Sequence, residues 1–235
     1  RRLRSIVIWG VALGVLGAVY VALYPTFDDL LEDYMQEAPE LMQQYMGGTD
    51  GSLSIEQYLE MEYFGGIIPL ALSFFMMIIG ARAVAGREER KTLDLLMSNP
   101  ISRWQVPAAS LVTMALGLAA VLAITWVLTY VAAPLAGVEL SAGGLAHGLV
   151  ALWPFCLVFG ALGLLMSALL RRAALAIVVP AVVLIGMYVI HMLAQMSKTV
   201  EPLRVLSLQY HLGSPLGGDF PWTAFLLMLA GVCVL

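Results

Sequence analysis

The chain has 235 residues, 61% hydrophobic and 12% charged, with a formal net charge of −4 and a mean hydropathy of +0.89. Soluble domains are roughly 45–50% apolar, so this composition excludes an ordinary water-soluble fold and places the chain in a bilayer. A basic stripe with interleaved aromatics is missing, which disfavours nucleic-acid binding, and Cys156 and Cys233 lie in apolar runs that imply neither a disulfide framework nor a metal site.

Apolar runs of about 20 residues predict an all-α membrane protein, one transmembrane domain over residues 1–235 with six helices. The first span covers 6–24 and, longer than a signal peptide's apolar region and without a cleavage site, reads as a retained anchor. Residues 26–62 read as an outer amphipathic cap. Phe27, Leu30, Leu31, Tyr34, Leu41 and Tyr45 recur at helical spacing, Thr26 with Asp29 gives an N-cap signal, Pro39 divides the cap, and Gly47–Ser52 is a turn. Ser54 and Gln57 form a second capping-box pattern, opening a helix that runs through Tyr58 into the second span, 64–84.

A charged stretch at 87–99 precedes the third span, 106–133, which is followed by spans at 148–170 and 173–194. Residues 201–221 are too rich in Pro and Gly for a span and too apolar for a free loop, so they read as a short interfacial or partly re-entrant helical element. The sixth span begins at Trp222 and reaches only Leu235. Fourteen residues rise about 21 Å against a hydrocarbon core of about 30 Å, so the chain is expected to stop inside a membrane helix. It also opens on Arg-Arg-Leu-Arg rather than Met, so both ends are expected to be trimmed. Trp9, Trp104, Trp222, Tyr20 and Tyr24 fall near span ends, as interfacial anchors do. Small residues recur in the first, third and fourth spans (GVALGVLGAV, ALGLAAVLA, FGALGLL) and mark faces for close helix packing, while Pro154 and Pro180 sit inside spans as candidate kinks.

Lys and Arg near span ends stay cytoplasmic. Arg1, Arg2, Arg4, Arg82, Arg87, Arg90, Lys91, Arg103, Arg171 and Arg172, ten of the twelve basic residues, share one side, whereas Thr26–Glu62 holds ten acidic residues and no Lys or Arg. The N-terminus is therefore expected in the cytoplasm.

The spans are almost free of ionisable groups, the positions an ion-coupled carrier would need. His147 and His191 fall near outer span ends and His211 in the outer loop, better placed to meet interfacial water than to relay protons. H-E-x-x-H and G-x-S-x-G are missing, which removes intramembrane proteolysis and hydrolysis. In Gly86–Thr92, Arg90 stands before Lys91 where a phosphate-binding loop requires Gly, so this chain does not bind ATP by that route.

Gly86–Pro100 carries six charges in fifteen residues. Submerged at about 2.5–3.5 kcal/mol each, they would cost on the order of 15–20 kcal/mol, so the stretch is cytoplasmic. Glu88 and Glu89 suit a first helical turn, Arg90 and Asp94 are an i,i+4 pair, and Leu93, Leu96 and Met97 form an apolar stripe ending before Pro100. Two readings follow from the residues alone: a surface helix packed on its own protein, or a docking surface for a soluble partner.

Glu88–Val106, EERKTLDLLMSNPISRWQV, resembles the cytoplasmic signature of type-2 ATP-binding-cassette export permeases. Glu88 or Glu89, Thr92, Leu93, Asp94, Leu95, Leu96, Ser98, Pro100, Ser102 and Arg103 carry the match, with Lys91 standing where the family usually has Gly and Asp94 where Glu is commoner. Leu203–Gly218 is similar to the family's outer segment between its last two spans. The resemblance implies a non-catalytic permease subunit in a bacterial or archaeal cell membrane, paired with a second permease copy as a homo- or heterodimer and with two ATP-binding subunits. ATP and Mg would be held on those partners. It also implies that 87–99 is a coupling helix, docking the ATPase through Glu88, Glu89, Arg90, Thr92, Leu93, Asp94, Leu96, Met97 and Arg103. A gate is expected on the small-residue faces of the first, second and fifth spans, and a hydrophobic or amphipathic substrate such as a drug, antibiotic or lipid-like molecule. A secondary transporter, a channel or a membrane scaffold without ATP coupling are the rival classes.

Overall fold

Inside a bilayer no water satisfies backbone N–H and C=O groups, so apolar runs this long fold as helices that close their own hydrogen bonds. The computed structural model describes residues 2–37, 54–85, 105–170, 172–196, 201–213, 216 and 220–234. Among the described residues, five helices are long and apolar enough to cross a membrane. Helix α1 covers Arg2–Glu37, α2 Ile55–Ala81, α3 Gln105–Leu135, α4 Ala142–Leu169 and α5 Ala173–Met196. A 3₁₀ turn at Glu201–Leu206 and the short α6, Leu208–Leu212, lead to α7, Trp222–Val234. Helix α7 has the position of the expected sixth span, but its 13 residues do not reach that length.

Several boundaries moved, each for a local reason. Helix α1 runs straight through Pro25, so Thr26 lies inside a helix and caps nothing. A proline forfeits one helical hydrogen bond, but Tyr24 and Phe27 on either side both pack on Tyr58, with ring centroids 5.6 and 5.0 Å away. Helix α4 begins six residues before expectation because the Ser141 hydroxyl accepts from Gly144 N–H at 3.1 Å and caps it there. The Ser54–Gln57 capping box is formed, the Ser54 Oγ accepting at 3.3 Å and Gln57 Oε1 accepting from Ser54 N–H at 3.1 Å. Tyr20 joins Tyr58 and Tyr63 in an aromatic cluster, and Trp9 packs on Phe75. Neither acts purely as an interfacial anchor. Pro39, the Gly47–Ser52 turn and Trp104 lie outside the described residues.

The helices alternate in direction. At one end, called here the basic end, lie Arg4, Arg82 and Arg172; at the other, the acidic end, lie Asp28, Glu56, Glu60, Glu62 and Glu139. Small residues decide which helices pair. A side chain on Gly10, Gly14 or Gly17 would run into Ile124, Leu128 or Thr129 of α3, and Thr125 Oγ1 donates to the Gly10 carbonyl at 3.4 Å. The glycine face of α1 is therefore filled by α3. On the outside, Val7, Val11, Val15, Val19 and Leu23 of α1 form an exposed apolar stripe at i,i+4 spacing, as do Leu175, Val178, Val182, Ile185 and Val189 of α5 at helical spacing, surfaces suited to lipid.

Candidate functional site at the two ends of the second span

Helix α2 is the element that joins the expected docking segment to the acidic end. The docking residues themselves, Glu88, Glu89, Arg90, Thr92, Leu93, Asp94, Leu96, Met97 and Arg103, lie outside the described residues, as does the expected coupling helix at 87–99. The root of that segment is described. After Ala81 the chain turns through Arg82–Val84, with Arg82 N–H donating to Ile78 O at 3.2 Å and Ala83 N–H to Gly80 O at 3.0 Å. Val84 N–H and Ala85 N–H then both donate to Ser167 Oγ of α4, at 3.1 and 2.8 Å. One buried hydroxyl thus pins the root to the end of α4.

Just above this clamp, α2 and α4 meet backbone to backbone. A Cβ on Gly80 would collide with the Gly160 carbonyl and come within 2.9 Å of Leu164 N, and one on Gly163 would stand 2.9 Å from Met77 O. Contact this close needs glycine on both helices. The expectation that FGALGLL is a packing face is met, and its partner is α2.

The acidic end of α2 is built differently. Residues Glu60–Ile67 form a π-helix, a wide turn that is rare and often functional. Pro69 explains it. In an α-helix the Gly65 carbonyl would accept from residue 69, but proline has no N–H and its ring presses on the carbonyl four residues back. The widened turn relieves that clash, and Gln209 Nε2 of α6 donates to the freed Gly65 carbonyl at 2.5 Å. Opposite, Tyr63 Oη donates to the Leu13 carbonyl at 2.6 Å, and Phe64 packs where a side chain on Gly148 would sit. One face of the π segment is therefore fixed on α1 and α4. The other face, with Gly65, Gly66 and Ile67, turns toward α5.

Between that face, α5 and α6 lies a cavity of about 730 Å³, within the range of about 300–1,000 Å³ usual for small-molecule sites. Glu60, Glu62 and Phe64 line it from α2, Tyr188 and His191 from α5, and Gln209 from α6. Glu60 Oε1 accepts from Leu216 N–H at 3.3 Å, tying α2 to the chain after α6. A smaller cavity of about 440 Å³ lies beside Asp28, Glu56 and Glu139, where Glu56 Oε1 accepts from Ser141 N–H at 3.4 Å. Among the described residues no three His, Cys, Asp or Glu are grouped to hold a metal ion.

Of the histidines, His191 lines the larger cavity, His147 lies inside α4 with its ring 5.8 Å from that of Phe220, and His211 is exposed on α6 with Nε2 2.9 Å from Val205 O. Sequence reasoning missed Ser167, Tyr188 and Gln209. Gly65 with Pro69 four residues later was a legible signal for the freed carbonyl, whereas the identity of its donor required the fold.

A comparison with curated proteins found no match, and neither did a comparison with solved structures. The family model described as ABC-2 family transporter protein matches residues 1–217. That match takes in α1 to α6 and both ends of α2, and so this multi-pass membrane protein belongs to the ABC-2 transporter family as a membrane permease.

Proposed function

We propose that the chain is the membrane-spanning subunit of an ATP-driven exporter that moves a hydrophobic or amphipathic molecule across the cell membrane. Two permease copies, identical or paired with a relative, assemble with two ATP-binding subunits, and ATP with Mg²⁺ is bound and hydrolysed on those subunits. Residues 87–99 form the helix that docks there, with Leu93, Leu96 and Met97 as its apolar contact and Glu88, Glu89, Arg90, Thr92, Asp94 and Arg103 setting its register. The basic end faces the cytoplasm. The observation that carries this reading is the double hydrogen bond from Val84 and Ala85 to Ser167, directly below the glycine crossing. The root at Val84 and Ala85 is tied to α4, so a push arriving through it acts on α2 and α4 together. Closing of the ATPases is thus converted into displacement of helices within the membrane.

Copurification tests the docking assignment. Burying Leu96 contributes roughly 1.5–3 kcal/mol, so Leu96→Asp is expected to weaken association of the tagged permease with its ATPase by about 10- to 150-fold. Membrane insertion and the unfolding midpoint of the permease should not change. Unchanged association would remove the assignment of 87–99.

A further inference from the structure

The larger cavity is graded in polarity along its depth. Its walls on α2 and α5 belong to helices long enough to cross a membrane, and these run in opposite directions, so depth can be read along each. On α2, Gln57, Glu60 and Glu62 line the cavity nearest the acidic end, and Phe64 and Ile67 line it further in. On α5, His191 stands nearer the acidic end and Tyr188 lies deeper. Leu152 of α4 and Phe64, both buried, close the floor. Polar side chains thus gather at the outer end and the deeper wall is aromatic and aliphatic. A lipid leaflet has the same order, polar headgroups over hydrocarbon.

The cavity also has an apolar mouth. A residue that lines a cavity and is itself exposed stands at its rim, and three large apolar side chains do so: Met61 and Ile67 of α2, 67% and 40% exposed, and Met192 of α5, 57% exposed. On α5 this rim continues the outward stripe, since Ile185 and Val189 lead along the same face to Met192. Exposed apolar surface is unfavourable in water, at roughly 25 cal/mol per Å², so a rim of this kind within a membrane span faces hydrocarbon. From this we infer that the cavity takes an acyl-chain amphiphile from the leaflet at the acidic end. It enters sideways past Ile67 and Met192, lays its chain against Phe64, Leu152 and Tyr188, and leaves its head beside Gln57 and Glu62. Selection comes from the order of polar and apolar surface rather than from the sign of a charge. That this leaflet is the outer one, and that the amphiphile is cargo, rests on the exporter reading; occupancy itself needs neither ATP nor the partner.

The test is photo-cross-linking of the full chain in phospholipid nanodiscs by a lysophosphatidylcholine with a diazirine on its acyl chain, the labelled peptides being mapped by mass spectrometry. Labelling at 64–67 and 188–192 should saturate and fall about fivefold or more under excess unlabelled lysolipid. Glycerophosphocholine, the same head without a chain, should leave it unchanged. Labelling of the outward stripe at Val178 and Val182 should neither saturate nor be competed. Ile67→Trp and Met192→Trp, at exposed positions on opposite sides of the mouth, should each cut the saturable labelling severalfold, whereas Val182→Trp on the outward stripe should not. The two mouth variants keep the test readable if one of them disturbs the fold. Cavity labelling that rises without saturation, as on the outward stripe, would mean contact with bulk lipid only and would overturn the inference, as would full competition by glycerophosphocholine. If the lysolipid binds saturably but ATP never drives its movement in vesicles holding the ATPase, the site stands and its role in transport fails. If an amphiphile is pumped and the cavity is never saturably labelled, the exporter reading stands and the cavity assignment falls.

Discussion

The two ends of α2 solve opposite problems with the same residue type. At the basic end Gly80 lets the backbone of α2 touch that of α4, and the crossing is closed further by Gly160 and Gly163. At the acidic end Gly65 and Gly66 sit in a π turn that holds α2 away from α5, and a cavity opens between them. The difference lies in the neighbours. Glycine opposite glycine brings helices together, whereas glycine four residues before proline and opposite a tyrosine makes a wide turn with a spare carbonyl. One helix thereby carries a close crossing at its root and an open space beside its other end.

The sharpest way to break this comparison is to add one methyl group at each end. Gly80→Ala should destabilise the chain by about 1–3 kcal/mol, since the obstruction is backbone and overpacking forces helices apart. Gly66→Ala should change stability by less than about 1 kcal/mol. Its nearest obstacle is the tip of a rotatable tyrosine, and the helical preference for alanine over glycine, roughly 1 kcal/mol, offsets the crowding. Reversible unfolding in mixed micelles measures both, and equal costs would erase the distinction.

A next step removes the clamp. Ser167→Ala deprives two N–H groups of their acceptor, which should cost about 1–3 kcal/mol. Hydrogen exchange should speed up at Val84 and Ala85. Exchange unchanged at those two amides would mean that the hydroxyl does not hold the root.

The smallest effect tests the origin of the π turn. Gln209→Ala should cost about 0.5–1.5 kcal/mol through the lost bond to the Gly65 carbonyl. Pro69→Ala returns an N–H to that carbonyl, so Gln209→Ala in its background should cost almost nothing. A double-mutant cycle reads the coupling directly, and strictly additive effects would refute the account of Pro69.

Much of this fold could be read from the residues because membrane spans depend on run length and polarity, which are local properties. The third and fifth long helices lie within a few residues of expectation and α2 opens at the expected Ser54 cap, whereas Ser141 caps α4 early and α1 runs on to Glu37. Ser54 and Gln57 were recognisable because a capping box is complete within four residues. Helix α1 was harder. Pro25 is a breaker by itself, and only the packing of Tyr24 and Phe27 on Tyr58, more than thirty residues away, carries the helix past it. The small-residue stripes identified packing faces, but their partners, α3 for the glycines of α1 and α2 for those of α4, depend on topology. The cavity was the least legible feature. Its carboxylates stood out as part of an acidic outer segment, but Tyr188 and Gln209 reach it from helices more than a hundred residues further along the chain.

The central claim, that solute movement is driven through the 87–99 segment by a separate ATPase, is tested most directly in reconstituted vesicles. A fluorescent amphiphile should cross the membrane only when the permease, its ATP-binding subunit, ATP and Mg²⁺ are all present, and Leu96→Asp should abolish the ATP-dependent component. Movement at the same rate by the permease alone, with no ATPase in the vesicle, would contradict it.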